Sequence, residues 1–588
     1  MGSPPARPQG SSAPSGPRPG DAPTSPTARP DRPASWRSRE AALVAGLVLL
    51  ALVLRLPTAG LQSFWLDEVY TGRIVDGSLG HAWSTVQRTE NTPPLFYLLD
   101  WGWGRLFGTS EFALRSLSAL AGALAVLPVA RLVRSIGEAT DTGRGRAVPP
   151  VGPEPAGPAS APGVPVSAGT AAATPLAASP GHAERLAAGL VEAMRRPVSG
   201  EGRGLPLSVV LAGGLLVVVS PLAHWFSQEA RSYALFVLLS GLAWLALVRA
   251  LREPTPRALG LWAVAAAAAT WTHYFGGLLF LVGWSAIVVV LVAAAGDRRR
   301  AALRPVLLPA GLSAVGVLAL LPIALNQQST GMYEAISKVK GLPDRIVETP
   351  KQFAVGYSAP AEAVTGAVVV LVLTVLVAAG AWPRGGRATR GTVLLGLVAT
   401  VWLLPLVALA GGFDVVLTRN FVLLLPPLFV LAALGAGRLG RGGLVALGAV
   451  TVAQVAVIVL VALTPVYQRE DWRGIMAAAQ DGQPAPELLF ITAYQGPAAT
   501  YYSPTLRRAD PRRPVALRSL AVVDRLVDGK ALKDAPVPQP PPGFVLSRVE
   551  QRDQWHVFVW TAPRPTRISP ELLRSLQVTP PRTAVLRP

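Results

Sequence analysis

The chain has 588 residues, 51% of them hydrophobic and 15% charged, with a mean hydropathy of +0.40 and a net charge of +20. Several apolar runs reach the ~20 residues that a ~30 Å hydrocarbon layer requires, which excludes an ordinary soluble protein. Cysteine is absent, so disulfides, thiolate metal sites and cysteine nucleophiles are excluded, and the positive charge reads as arginine-rich cytoplasmic loops, not as a nucleic-acid surface.

Residues 1–39 are rich in Pro, Ser, Gly and Arg and have almost no large apolar side chains, so a disordered cytoplasmic tail is expected there. An uncleaved first span follows at 41–56. Further spans are expected near 111–134, 205–224, 230–250, 258–272, 275–295, 303–325, 363–383, 391–411, 418–437 and 442–464, eleven in all. The segment 94–108 is apolar too, but counting it as a span would put the tail and the later arginine clusters on opposite sides. Laid along the interface, with Trp101 and Trp103 as anchors, it leaves every cluster on one side. These clusters are the tail, Arg131/Arg134, Arg249/Arg252/Arg257, Arg298–Arg300 with Arg304, Arg384/Arg387/Arg390 and Arg438/Arg441. The expected topology has the N-terminus inside and the C-terminus outside.

That topology makes residues 40–465 a membrane domain with a disordered cytoplasmic insert at 137–204. The loops 57–110, 224–232, 326–362 and 412–419 face outward. Residues 466–588 read as a small extracytoplasmic α/β domain, with strand-like runs at Glu487–Ile491 and Trp555–Trp560 and a proline-rich stretch near 535–543.

Acidic residues beside a bilayer are costly unless solvated, paired or used, which singles out Asp67 and Glu68 in Ser63-Phe64-Trp65-Leu66-Asp67-Glu68. Arg55 and Arg73 are alternative partners for either acid, and helix capping is an alternative role. On the same face, Arg231, Arg419, Lys351, Arg345, Arg88 and Arg115 are cations that could hold a phosphate, or anchors that snorkel to headgroups. His273-Tyr274 could touch a sugar or acceptor, or belong to an aromatic belt, and His224-Trp225 reads the same way. Five histidines with no histidine–carboxylate cluster establish no metal site. No glycine-rich phosphate loop is present, which argues against a nucleotide-sugar donor.

Four segments together resemble the GT-C superfamily of membrane glycosyltransferases, within it the family 39-like group of protein O-mannosyltransferases, lipid A aminoarabinose transferase and RgtA/B/C/D-like enzymes. They are Phe64–Glu68; Glu90-Asn91-Thr92-Pro93-Pro94-Leu95-Phe96-Tyr97 leading to Gly108–Glu111 and Arg115; Ser227-Gln228-Glu229-Ala230-Arg231-Ser232-Tyr233; and Thr418-Arg419-Asn420-Phe421 with Pro426-Pro427. The likeness spans residues 41–465. It departs at Asn91, where many relatives carry His just before the Pro-Leu-Tyr-Tyr segment, and at Asn420, where many carry Tyr.

The resemblance implies a mainly α, polytopic fold and transfer of a mannose- or arabinose-like sugar from a polyprenyl-phosphate donor. The acceptor would be an envelope protein, lipid or polysaccharide on the outer face of the plasma membrane. It implies Asp67 as the general base of an inverting transfer, with Glu68 orienting or tuning it. Glu90, Arg115, Arg231, His273, Tyr274, Lys351 and Arg419 are the expected substrate-binding residues. A divalent cation, Mg or Mn, is left open, since some superfamily members use one and others do not. A transporter or flippase of lipid-linked sugars is the rival reading, but it needs no outer acid pair, and no internal repeat is evident.

Overall fold

The computed structural model describes residues 34–137, 188–189, 191–194, 205–295, 298–328, 341–412, 414–481, 486–492, 496–508, 515–525, 537, 539–568 and 583–587, with Gly2. Most of the expected tail and of the 137–204 insert therefore lies outside the described residues. The described chain is mainly helical, with a mixed sheet near its C-terminus. In order, the helices before the long outer loop are α1 (Ala34–Arg55), α2 (Leu66–Asp76), α3 (Leu79–Thr89), α4 (Leu95–Phe107), α5 (Glu111–Leu124), α6 (Val126–Ile136), α7 (Leu207–Val219), α8 (Pro221–Ser227), α9 (Tyr233–Arg252), α10 (Pro256–Thr272), α11 (Gly276–Ala295), α12 (Arg299–Leu318) and α13 (Leu321–Gln328). After it come α14 (Leu342–Val355), α15 (Glu362–Ala381), α16 (Arg390–Ala410), a 3-10 turn at Thr418–Leu424, α17 (Leu425–Arg438), α18 (Gly440–Leu463), α19 (Trp472–Gln480) and α20 (Gly496–Tyr502).

Among the described residues, eight helical stretches are long and apolar enough to cross a membrane: Glu111–Ile136, Tyr233–Arg252, Gly276–Ala295, Arg299–Gln328, Glu362–Ala381, Arg390–Ala410, Thr418–Arg438 and Gly440–Leu463. The other three expected spans are helical as well. α7 and α8 are separated by a 55° bend, α10 has 17 residues, and α1 carries Arg39, Glu40 and Arg55. α4 has 13 residues, about 20 Å of helix, too short for a ~30 Å layer.

The break between α7 and α8 follows from Pro221, whose missing N–H leaves the carbonyl of Val217 without its helical partner. Arg55 fills the vacancy, its Nη2 donating to Val217 O at 2.9 Å, and Ser220 caps α8 by accepting from Ala223 N. α17 lies at the centre of the bundle: 89% of its span is buried, against 22% for α15 and α18. α15 reaches it through two facing glycines. A Cβ on Gly380 would stand 2.0 Å from Leu431 O, and one on Gly435 1.8 Å from Leu376 O, so only hydrogen at both positions permits this backbone approach.

The strands are β1 (Leu489–Thr492), β2 (Arg507–Arg508), β3 (Val515–Arg525), β4 (Val545–Gln551), β5 (Trp555–Ile568) and β6 (Thr583–Arg587), ordered β2-β6-β1-β3-β5-β4. β1 and β3 are parallel and the other pairs antiparallel, with a register shift between Leu517 and Ser519. Both expected strands are present. One face of this sheet does not form a core of its own: Leu489, Ile491, Val523, Trp555 and Val557 join Trp472, Ile475 and Met476 in one cluster with Phe64, Val69, Ile74, Phe96, Tyr97 and Leu114. The C-terminal residues thus complete the core of the 57–110 loop.

Candidate active site

α2 begins where Glu68, at its third position, folds back to accept the Trp65 amide at 3.4 Å. The rest of the Glu68 carboxylate is used elsewhere. Oε1 accepts from Arg115 Nε at 2.6 Å and from Ala230 N at 2.8 Å, and Oε2 from Arg115 Nη2 at 2.6 Å. Arg115 also donates to the carbonyls of Ala59, Gln62 and Ser63 at 2.9, 2.7 and 2.8 Å. Both side chains are fully buried. This departs from the expectation of Arg115 as a phosphate ligand and Glu68 as a partner in chemistry, because neither keeps a free polar atom for a substrate. Together they pin α2 to α5 and to the 228–232 turn.

Asp67 is one residue earlier, about 100° round the helix, and faces the other way. Its side chain is 26% exposed, and its nearest cation is Arg419 Nη1 at 3.8 Å, itself 24% exposed. A separation that long between two partly solvated groups is a loose pair, open to exchange with a ligand. Arg419 is the second residue of the 3-10 turn that precedes α17, and Asn420 beside it is held by donating to Val415 O at 2.8 Å.

Behind this pair lies a buried layer. Arg231 Nη1 donates to Glu90 Oε2 at 2.7 Å and to Asp67 O at 3.3 Å, and its guanidinium lies over the Tyr97 ring at 5.7 Å. Tyr97 donates to Glu90 Oε2 at 2.6 Å and shares a hydrogen with Thr92 at 2.9 Å. Burial pushes the Glu90 carboxyl above its ordinary range, opposed by Arg231 and Tyr97. Glu90 and Arg231, both expected at the site, do meet there.

The remaining expected residues separate. His273 stacks on Phe236 at 4.8 Å and its Nδ1 accepts from Phe275 N at 3.3 Å. Burial, and then the charges of Arg419 and Arg231, push its pKa down to about 3, so it is a neutral wall beside the two arginines. Tyr274 bonds Gln327 at 2.8 Å, and Gln327 holds the carbonyls of Val86 and Thr92, which fixes the start of the Glu90 loop.

Lys351 pairs with Glu362 and is two residues from Thr349, hence on the opposite side of α14 from the face that meets the Thr418 turn. Its ammonium is thus engaged by the carboxylate that opens α15. Arg345 grips both carboxylate oxygens of Asp414, and Arg88 reaches Ser84 at 3.4 Å on an exposed helix face.

Four residues were not singled out by sequence. Glu229 and Arg469 are both buried and pair at 3.4 Å, and Tyr233 and Tyr357 pack against Phe226 at ring-centroid distances of 4.5 and 5.8 Å. Glu229 and Tyr233 lie inside the Ser227–Tyr233 motif, so proximity to Arg231 was the available signal. For Tyr357 and Arg469 no local signal existed.

A partly exposed carboxylate, a partly exposed arginine and a second arginine behind them suit removal of a proton beside a held anion. Among the described residues no three histidine or acidic side chains converge as a metal site. Of the carboxylates at this site, Glu68, Glu90 and Glu229 are buried and each paired with an arginine, and Asp67 is the partly exposed one. A small cavity of about 20 Å³ lies between Gly137, Leu205, Arg384 and Arg438, and none of these site residues line it.

No family model matches the sequence, and no curated protein does. Among solved structures, the chain is similar to the aminoarabinose transferase ArnT from Cupriavidus metallidurans bound to undecaprenyl phosphate. The identity is 12%, covering 90% of this chain and 98% of that one, with a TM-score of 0.43. It is also similar to the oligosaccharyltransferase AglB from Archaeoglobus fulgidus, in complex with an inhibitory peptide and a dolichol-phosphate. There the identity is 12%, covering 77% of this chain and 59% of that one, with a TM-score of 0.37. The chain thus spans less than two thirds of the archaeal protein's length. At these scores, any statement about activity rests on the site geometry above.

Proposed function

We propose that this chain is an integral membrane glycosyltransferase that moves a mannose- or arabinose-like sugar from a polyprenyl-phosphate donor to an envelope acceptor on the outer face. The observation that carries this is the division of labour among the acids. Glu68, Glu90 and Glu229 are buried and paired, whereas the Asp67 side chain is partly exposed and lies 3.8 Å from the loosely held guanidinium of Arg419.

In this reading Arg419, backed by Arg231, holds the donor phosphate. As the phosphate takes up the Arg419 donors, Asp67 is left free to accept the proton of the acceptor hydroxyl. That hydroxyl attacks the anomeric carbon, the carbon–phosphate oxygen bond breaks, and the polyprenyl phosphate leaves with the bonding pair. A phosphate is a good leaving group and needs no proton from the protein. The apolar helices ending at this site supply a surface for the prenyl chain, and membrane lipid surrounds the rest. The N-terminus is cytoplasmic and the C-terminal region extracytoplasmic, by the arginine distribution.

The test is transfer of labelled sugar from polyprenyl-phosphate donors by membranes holding wild type or Asp67→Asn at equal expression. Loss of about 10²–10⁴-fold in the variant is expected. Equal transfer by the two would remove Asp67 as base. Arg419→Gln should mainly raise the donor KM.

A further inference from the structure

The segment that leaves the last span, Pro465 to Trp472, touches both halves of the site. On one side the Arg469 amide donates to Gln62 Oε1 at 3.3 Å, and Ser63 Oγ donates to Glu470 O at 3.0 Å while accepting from Trp472 N at 2.8 Å. Gln62 and Ser63 lead directly into α2 and Asp67. On the other side the Arg469 guanidinium lies 4.1 Å over the Trp225 ring, donates to Trp225 O at 2.9 Å and reaches Glu229 Oε2 at 3.4 Å. Glu229 begins the tight turn in which Arg231 N donates to Glu229 O at 2.8 Å and Ala230 N to Glu68. From the C-terminal sheet, Gln554 Nε2 donates to the carbonyls of Gln468 and Arg469 at 3.3 and 3.1 Å.

The turn cannot rotate without moving Arg231 off Glu90 and off the carbonyl of Asp67. What stops it is a buried carboxylate gripped at each end: Ala230 by Glu68, and Glu229 by Arg469. We propose that Arg469 is a positioning residue for the transfer, clamping the 228–232 turn so that Arg231 and Asp67 keep their relative aim. This rests on the transferase reading and adds that the C-terminal region helps hold the site, through a residue outside the segments that resemble known enzymes.

Two further features accord with it. Glu229 Oε1, Arg469 Nε and Arg231 Nε are buried with no partner, so each group depends on the few bonds it has. Burial also pushes the Glu229 carboxyl up to about 7, opposed by Arg469, with Glu68, Asp67 and Arg231 the other charges acting on it and the phenols of Tyr233 and Tyr357 nearby. Since its folded pKa exceeds the ordinary 4.5, its contribution to the closed turn is full below about 4.5 and is lost as pH rises through about 7.

The experiment measures sugar transfer together with hydrogen exchange of the 228–232 amides, corrected for intrinsic rates, on the full chain from pH 5.5 to 8.5. Wild type should show protection that falls near pH 7. Glu229→Gln should flatten that dependence, and Arg469→Ala should lose protection and about 10²-fold in kcat, with a smaller change in donor KM. Arg469→Lys, which keeps the charge but not the planar stack, gives an intermediate loss and serves if the alanine variant fails to fold. Unchanged protection, or lost protection with transfer intact, overturns the proposal. Protection lost in the variant while wild type moves no sugar supports the clamp and removes the transferase reading beneath it.

Discussion

Asp67 and Glu68 are chemically near-identical neighbours with opposite fates, and the difference is one helical step. Glu68 points inward to Arg115 and becomes a buried ion pair whose every oxygen is bonded, whereas Asp67 points to the solvated mouth. Breaking a buried pair leaves an uncompensated charge at a cost of about 3–5 kcal/mol. Arg115→Ala should therefore lower thermal stability in detergent sharply. Arg115→Lys should not restore it, because an ammonium cannot serve two carboxylate oxygens and three carbonyls in one plane. Asp67→Asn should leave the melting curve nearly unchanged while removing transfer. A protein in which the two variants behaved alike would contradict this split. The sequence marked the acid pair as unusual but could not divide the roles, because burial depends on which residues arrive from α5 and the 228–232 turn.

Among elements, the broken α7–α8 span and the central α17 show what the chain can and cannot announce. Pro221 in an apolar run predicts a bend, but not that Arg55 from another helix occupies the freed carbonyl. Glycines scattered through α15 and α17 do not reveal that Gly380 and Gly435 face each other. Gly435→Val would drive methyl groups into the backbone of α15 at Leu376. The expected outcome is loss of several kcal/mol of stability, seen as reduced monodisperse yield on fluorescence-detected size exclusion, while Gly448→Val, in open space on α18, should be tolerated. α4 was legible as non-spanning from charge parity alone, and its 13-residue length agrees.

For the whole molecule, the cluster that joins Trp472, Met476, Val523 and Trp555 to Phe64, Phe96 and Tyr97 makes the C-terminal region part of the fold that supports the site. A chain ending at residue 465 would expose that apolar face and lose the Arg469 contacts. It should accumulate poorly or aggregate when assayed by the same chromatography, whereas a freely hinged domain could be removed without this effect. Composition and hydrophobic periodicity by themselves determined that the protein is a polytopic membrane helix bundle. They also located the long apolar helices and two of the strands, because those properties are written in local runs of side chains. Only the tertiary structure decided that Arg115 pairs with Glu68 and Lys351 with Glu362, that Arg419 lies beside Asp67, and that Arg469 pairs with Glu229. Those outcomes depend on which side chains meet across hundreds of residues and which polar atoms are left over once each buried group has found its partner, and no local pattern carries that information.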